Sequence, residues 1–172
     1  MSLLRFLGLG GEAPAPSPDT ASVRRIAARL ERLPPDTARY LAAFAYVLAR
    51  VAHADLSFGA EETASMRGLV AEVGGIAPEE AELVVEIAKS QARLLGGTEN
   101  YVVTREFRRI STREQRAALL DCLFAVAAAD GTISGAESLE IMNVAEELGF
   151  TRPEANAVRA RFRAHLSELR RD

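Results

Sequence analysis

From residue 36 onward, the apolar positions of this chain recur at helical spacing. Phe44, Val47, Leu48, Val51 and Ala52 follow i, i+3, i+4, i+7, i+8, the pattern of one buried helix face. Adding 75 to each gives Leu119, Cys122, Leu123, Val126 and Ala127, with identical spacing and no gap. Met66, Leu69, Val70 and Val73 shift in the same way onto Ile141, Val144, Ala145 and Leu148. Turn-forming residues shift with them. Ala54, Asp55 and Glu62 become Ala129, Asp130 and Glu137, while Glu72, Gly74, Pro78 and Glu79 become Glu147, Gly149, Pro153 and Glu154. One offset that carries helix stripes and turns together marks an internal repeat.

Each copy reads as helix, acidic turn, helix, glycine stop, proline restart, helix. Gly74 and Gly149 fall where a helix C-cap needs a residue able to adopt positive φ. Pro78 and Pro153 suit the first turn of the next helix, where an N–H has no partner to lose, and Thr151 is a natural N-cap. The copies span about residues 36–95 and 113–169. Ahead of them, Asp19-Thr20 opens a helix carrying Val23, Ile26, Ala27 and Leu30. Pro34-Pro35 closes it and Asp36 caps the next. Between the copies, Glu99 to Ile110 reads as a connecting helix with Tyr101, Val102 and Phe107 turned inward.

Gly10 to Pro18 is a run of Gly, Pro, Ala and Ser with almost no periodicity, so residues 1–18 are expected to form a flexible tail before a helical domain over 19–172. A three-helix unit cannot bury its stripe alone. The expected fold is therefore all-α: two pseudo-symmetric three-helix repeats packed about long central helices near 36–54 and 113–129, with an N-terminal helix and a connecting helix added.

Composition agrees with helix and adds few functional constraints. The 172 residues are 48% hydrophobic and 26% charged, with no tryptophan, and the chain is long enough to bury a core without disulfides. A net charge of −3 gives no general pull toward nucleic acid. Arg105, Arg108, Arg109, Arg113 and Arg116 lack stacking aromatics between them beyond Phe107, so a nucleic-acid partner is not expected. Acidic residues crowd the stretch from Asp55 to Ile87, and arginines the C-terminal helix, the pattern of solvated faces or of a partner-steering surface. The single cysteine, Cys122, lies on an apolar stripe and fits a reducing compartment. No apolar run approaches the ~20 residues that span a bilayer, and Leu3 to Leu9 is too short for a secretory signal.

One motif carries candidate chemistry. Asp130-Gly131-Thr132-Ile133-Ser134-Gly135-Ala136-Glu137 resembles the second half of a calcium-binding EF-hand loop, with an acid, a glycine, an apolar residue and a terminal glutamate in register. The first two ligand positions of such a loop fall on Val126 and Ala128, which have no side-chain oxygen, so a complete EF-hand is excluded. A looser site for calcium, magnesium, manganese or zinc remains one reading. The other is structural: Ser134 and Glu137 form a capping box and Asp130 bonds to amides of its own turn. The first copy keeps Asp55 and Glu62 but has Leu56 where Gly131 stands, which makes a glycine-dependent turn harder to form there. His53 and His165 are isolated, and no nucleophile, base or phosphate-binding glycine loop converges, so an enzyme is not expected.

The paired helix–acidic turn–helix pattern resembles the tellurite-resistance protein B (TerB) family. Its clearest stretch is Ala127-Ala128-Ala129-Asp130-Gly131-Thr132-Ile133-Ser134-Gly135-Ala136-Glu137 followed by Leu148-Gly149. It also resembles the N-terminal domain of a membrane-anchored DnaJ-type co-chaperone. The resemblance covers about residues 36 to 168. It implies two three-helix repeats and a divalent metal held by acidic residues, which by position are Asp130 and Glu137, then Asp55 and Glu62. It further implies a bacterial stress-response role beside membrane-associated protein partners, hence a cytoplasmic protein peripheral to the inner membrane.

Overall fold

The computed structural model describes residues 18–51, 60–92 and 100–169. Eight α-helices run through them: α1 (Pro18–Glu31), α2 (Pro35–Val51), α3 (Ala60–Glu72), α4 (Pro78–Ala92), α5 (Asn100–Ile110), α6 (Arg113–Ala127), α7 (Gly135–Glu147) and α8 (Arg152–Arg161). A short 3₁₀ turn, Ser167–Leu169, follows. The fold is all-α, as the sequence pattern requires. The expected tail lies outside the described residues apart from Pro18, which opens α1.

Helix α2 is the centre. Every residue from Leu41 to Val51 is buried, and the helix touches α1, α4, α5, α6 and α7. Its sequence explains this: Leu41-Ala42-Ala43-Phe44-Ala45-Tyr46-Val47-Leu48-Ala49 is apolar all round, and such a helix has no face to give to water. Its alanines let neighbouring helices approach closely. The two long helices differ in how deeply they are buried. Helix α6 buries one face, through Leu119, Leu120, Cys122, Leu123, Phe124 and Ala127, and leaves the other partly open.

The repeat offset reappears in the element ends, since adding 75 to Ala60 and Glu72 gives Gly135 and Glu147, the limits of α7. The surroundings of the two copies differ. Helix α4 packs broadly on α2, whereas α8 is shorter and makes a smaller contact with α6, anchored by Phe124 stacked on Phe162 at 5.5 Å. Tyr40, Phe44 and Phe107 form an aromatic cluster with centroids 5.3–6.2 Å apart that fastens α5 to α2.

Local signals hold with four adjustments. Asp19 and Thr20 lie inside the first turn of α1, which begins one residue earlier at Pro18. Asp36 sits inside the first turn of α2, behind Pro35; the Pro34 carbonyl accepts the first helical bond, from Ala38 N–H, so Pro34 occupies the cap position. Gly149 has positive φ (+87°) as expected, but in the first copy that role belongs to Gly75 (φ +67°). Gly74 serves close packing instead: a Cβ there would stand 2.5 Å from the Val70 carbonyl oxygen and 3.0 Å from the Phe44 ring. On α5, Phe107 and Val103 turn inward, while Tyr101 and Val102 face solvent. The inward stripe is Val103, Thr104, Phe107, a spacing of i, i+1, i+4, and helix geometry puts Tyr101 on the opposite side.

Candidate functional site

The acidic turn of the second copy is built by its neighbours. Ala128 caps the C-terminus of helix α6, Gly131 N–H returns to the Ala128 carbonyl, and Gly131 takes φ +96°, a conformation that strains any residue with a Cβ. Asp130 follows a helix C-terminus, where the macrodipole opposes a negative charge. Its Oδ1 accepts the Thr132 N–H at 3.0 Å, which supplies the compensating donor. Ser134 N-caps α7: its Oγ accepts Glu137 N–H at 3.2 Å, and Glu137 Oε2 accepts Ser134 N–H at 2.8 Å and Ser134 Oγ–H at 2.7 Å. Both candidate acids thus work as acceptors for their own turn.

A strap from the C-terminal segment holds this turn in place. Ile133 N–H donates to the His165 carbonyl at 2.7 Å, and Ser167 N–H donates to the Ile133 carbonyl at 3.0 Å, an isolated parallel bridge centred on Ile133 and Leu166. Both side chains are buried. Arg159 donates to Ser138 Oγ at 2.8 Å and pairs with Glu168 at 2.6 Å, which ties α8, the strap and α7 together. The His165 ring faces the Gly131 carbonyl at 3.4 Å, a position inside the scaffold.

In the first copy, Glu62 is exposed in the first turn of α3, at the helical position that Glu137 holds in α7. Asp55 and His53 lie outside the described residues. Among the described residues, no three His, Cys, Asp or Glu side chains converge as a metal cage. Cys122 is fully buried, and burial pushes its thiol up to about 12, which removes it as a nucleophile.

The structure also assembles a polar cluster that the motif reading missed. Arg50, only 8% exposed near the end of α2, forms an ion pair with Glu140 and binds Glu147 through two nitrogens at 2.6 and 3.1 Å. It also donates to the buried Thr104 hydroxyl at 3.1 Å. Burial opposes the charge on Arg50, but hydrogen bonds to Glu147 and Glu140 outweigh it and hold the guanidinium above its ordinary range. One residue thereby joins α2, α5 and α7. The sequence carried a signal, a lone charge in the otherwise apolar stretch from Leu41 to Val51, but not the identity of its partners.

Beside this cluster, α5 and the last turn of α7 line an open groove of about 770 Å³. Four arginines gather around that end of α7. Arg116 donates to the Leu148 carbonyl at 2.9 Å, Arg113 lies over the Phe150 ring at 5.0 Å, Arg108 packs against Gly149, and Arg152 pairs with Glu146 at 2.9 Å. Cations at a helix C-terminus are favoured by its dipole.

These features define a helical module whose polar side chains serve caps and inter-helix links. The family comparison is more specific: the model for Tellurite resistance protein TerB matches residues 40–160. The chain belongs to the TerB family. No curated protein and no solved structure matches it.

Proposed function

We propose that this chain is a non-enzymatic interaction module of the bacterial tellurite-resistance type, whose acidic turns act as helix caps that fix the scaffold. The observation that carries this reading is the engagement of Asp130 and Glu137 with amides of their own turn. Family membership supports a tellurite-resistance-related role. The single buried cysteine supports a cytoplasmic, reducing location, and a membrane-associated protein partner is part of the same proposal. Two three-helix repeats, 36–95 and 113–169, are supported by the matched ends of α3 and α7.

A second reading keeps a divalent cation at Asp130 and Glu137, with Asp55 and Glu62 in the first copy. It is favoured by the EF-hand-like register of the turn and by Asp130 being exposed with only Oδ1 engaged among the described contacts. Thermal unfolding of chelator-treated protein, with and without millimolar calcium, magnesium, manganese or zinc, separates the readings. An ion at 100 times its dissociation constant adds about 2.7 kcal/mol, or roughly 5–10 °C for a chain of this size. The cap reading expects no ion-dependent shift, and equal destabilisation of Asp130→Asn/Glu137→Gln with and without ions. A shift with one ion, lost in that double variant, would establish the metal reading. The interaction role is tested by affinity capture from bacterial lysate, in which a reproducible partner is expected in chelator as well as in added ions.

A further inference from the structure

The groove beside α5 has an uneven supply of counter-ions. Each carboxylate on its wall already touches a cation: Glu106 pairs with Arg109 at 2.6 Å, Glu146 with Arg152, and Glu147 with Arg50, which it shares with the neighbouring Glu140. Arg109 holds the Glu106 carboxyl below its ordinary range, chiefly through their hydrogen bond. The remaining wall cations, Arg105 and Arg108, have no carboxylate partner among the described residues. Arg105 lies over the Tyr101 ring at 5.4 Å, and the Arg108 guanidinium rests against Gly149.

Next to them stand two large apolar side chains that the fold leaves in water, Tyr101 at 53% and Val102 at 58% exposure. Helix α5 had inward positions available, and Val103 and Phe107 fill them. An exposed aromatic–aliphatic pair beside two guanidinium groups with no carboxylate partner among the described residues, all lining one open groove, has the composition of an interface hot spot: aromatic and arginine anchors with apolar contact area.

We infer that this groove docks an acidic segment of a partner protein, its carboxylates meeting Arg105 and Arg108 and an apolar side chain seated on Tyr101 and Val102. The inference rests on the interaction-module reading and gives it a surface. Charge complementarity selects the occupant. A basic peptide would face Arg105 and Arg108 without compensation, and the wall carboxylates are already paired.

The test is selection from a phage-displayed library of random 12-residue peptides on the full chain, followed by titration of the enriched peptides. Enriched peptides should combine Asp or Glu with an aromatic or aliphatic residue and weaken as salt rises. Arg105→Glu/Arg108→Glu should weaken them by about 100-fold, the scale of losing two charge-assisted contacts. The milder Arg105→Gln/Arg108→Gln keeps the test valid should charge reversal disturb the fold, with about a 10-fold loss expected, and Tyr101→Ala should act in the same direction. Acidic peptides that bind the parent and both variants alike would overturn the groove while leaving a module that binds elsewhere. Enrichment without acids, or no enrichment at all, would also overturn it. So would sedimentation showing the groove occupied by a second copy, as a dimer that Arg105→Gln/Arg108→Gln dissolves. Loss of the captured lysate partner is a separate failure, since it removes the module reading itself.

Discussion

Replacing Arg50 by methionine tests whether one buried side chain holds three helices in register. Arg50 is 8% exposed, Glu147 is 16% exposed, and Glu140 is about one-third exposed. Methionine fills much of the aliphatic volume but leaves two adjacent carboxylates without their cation and the buried Thr104 hydroxyl without that donor. Removing one partner of a fully buried pair costs about 3–5 kcal/mol. Glu140 is partly screened by solvent, so a loss of about 2–4 kcal/mol is expected here. For a chain of this length, a loss of ~3 kcal/mol lowers Tm by roughly 6–12 °C. Urea unfolding at neutral pH, followed by circular dichroism, measures it directly. The triple variant Arg50→Met/Glu140→Gln/Glu147→Gln should recover most of the loss, because removing all the charges leaves none uncompensated. A single variant that loses less than about 1 kcal/mol, or a triple variant no more stable than the single one, would refute the account of the cluster given above.

Other perturbations follow from local geometry. Gly149→Ala forces a Cβ at φ +87° and within 3 Å of the Arg108 guanidinium, and should cost about 1–2 kcal/mol in the same urea assay. Gly68→Ala, inside α3 with open space around it, should instead stabilise by roughly 0.5–1 kcal/mol. Ser134→Ala removes the N-cap of α7 and should cost about 1 kcal/mol, unchanged by chelator on the cap reading. Glu154 is held below its ordinary value by the Thr151 amide, then the Thr151 hydroxyl, then Arg113. Its contribution is therefore present above the unfolded value near 4.5 and is lost as pH falls through the lower folded value; the Tm gap between the parent and Glu154→Gln should close on acidification. Cys122 should react with a disulfide reagent only as fast as the chain unfolds, and a rapid native-state reaction would contradict its burial.

What could be read from the residues was mainly local. Ser134, Glu137 and Thr151 were legible as caps because a cap is decided within three or four residues. Gly131 and Gly149 were legible because a turn needing positive φ has few alternatives to glycine. The tandem glycines 74 and 75 misled by one position, since sequence cannot say which of two serves the turn and which makes room for Phe44. Tyr101 and Val102 were misplaced because an eleven-residue helix allows two apolar faces, and only packing against α2 selects Val103 and Phe107. The Arg50 cluster joins positions 90 and 97 residues apart, and no local pattern encodes such a pairing.

The Arg50 cluster also bears on descent. Shifted by 75, Arg50 falls on Ala125, while Glu140 and Glu147 correspond to Ser65 and Glu72 in the first copy. The cation belongs to one half of the chain and its anions to the other. If the halves arose from one ancestral gene segment, the ancestor could have held this link only by joining two identical chains or not at all. Once arginine was kept in one copy and a matching glutamate in the other, neither half could be deleted or exchanged without stranding a buried charge. A duplication that began as redundancy would then have become an obligate partnership within a single polypeptide.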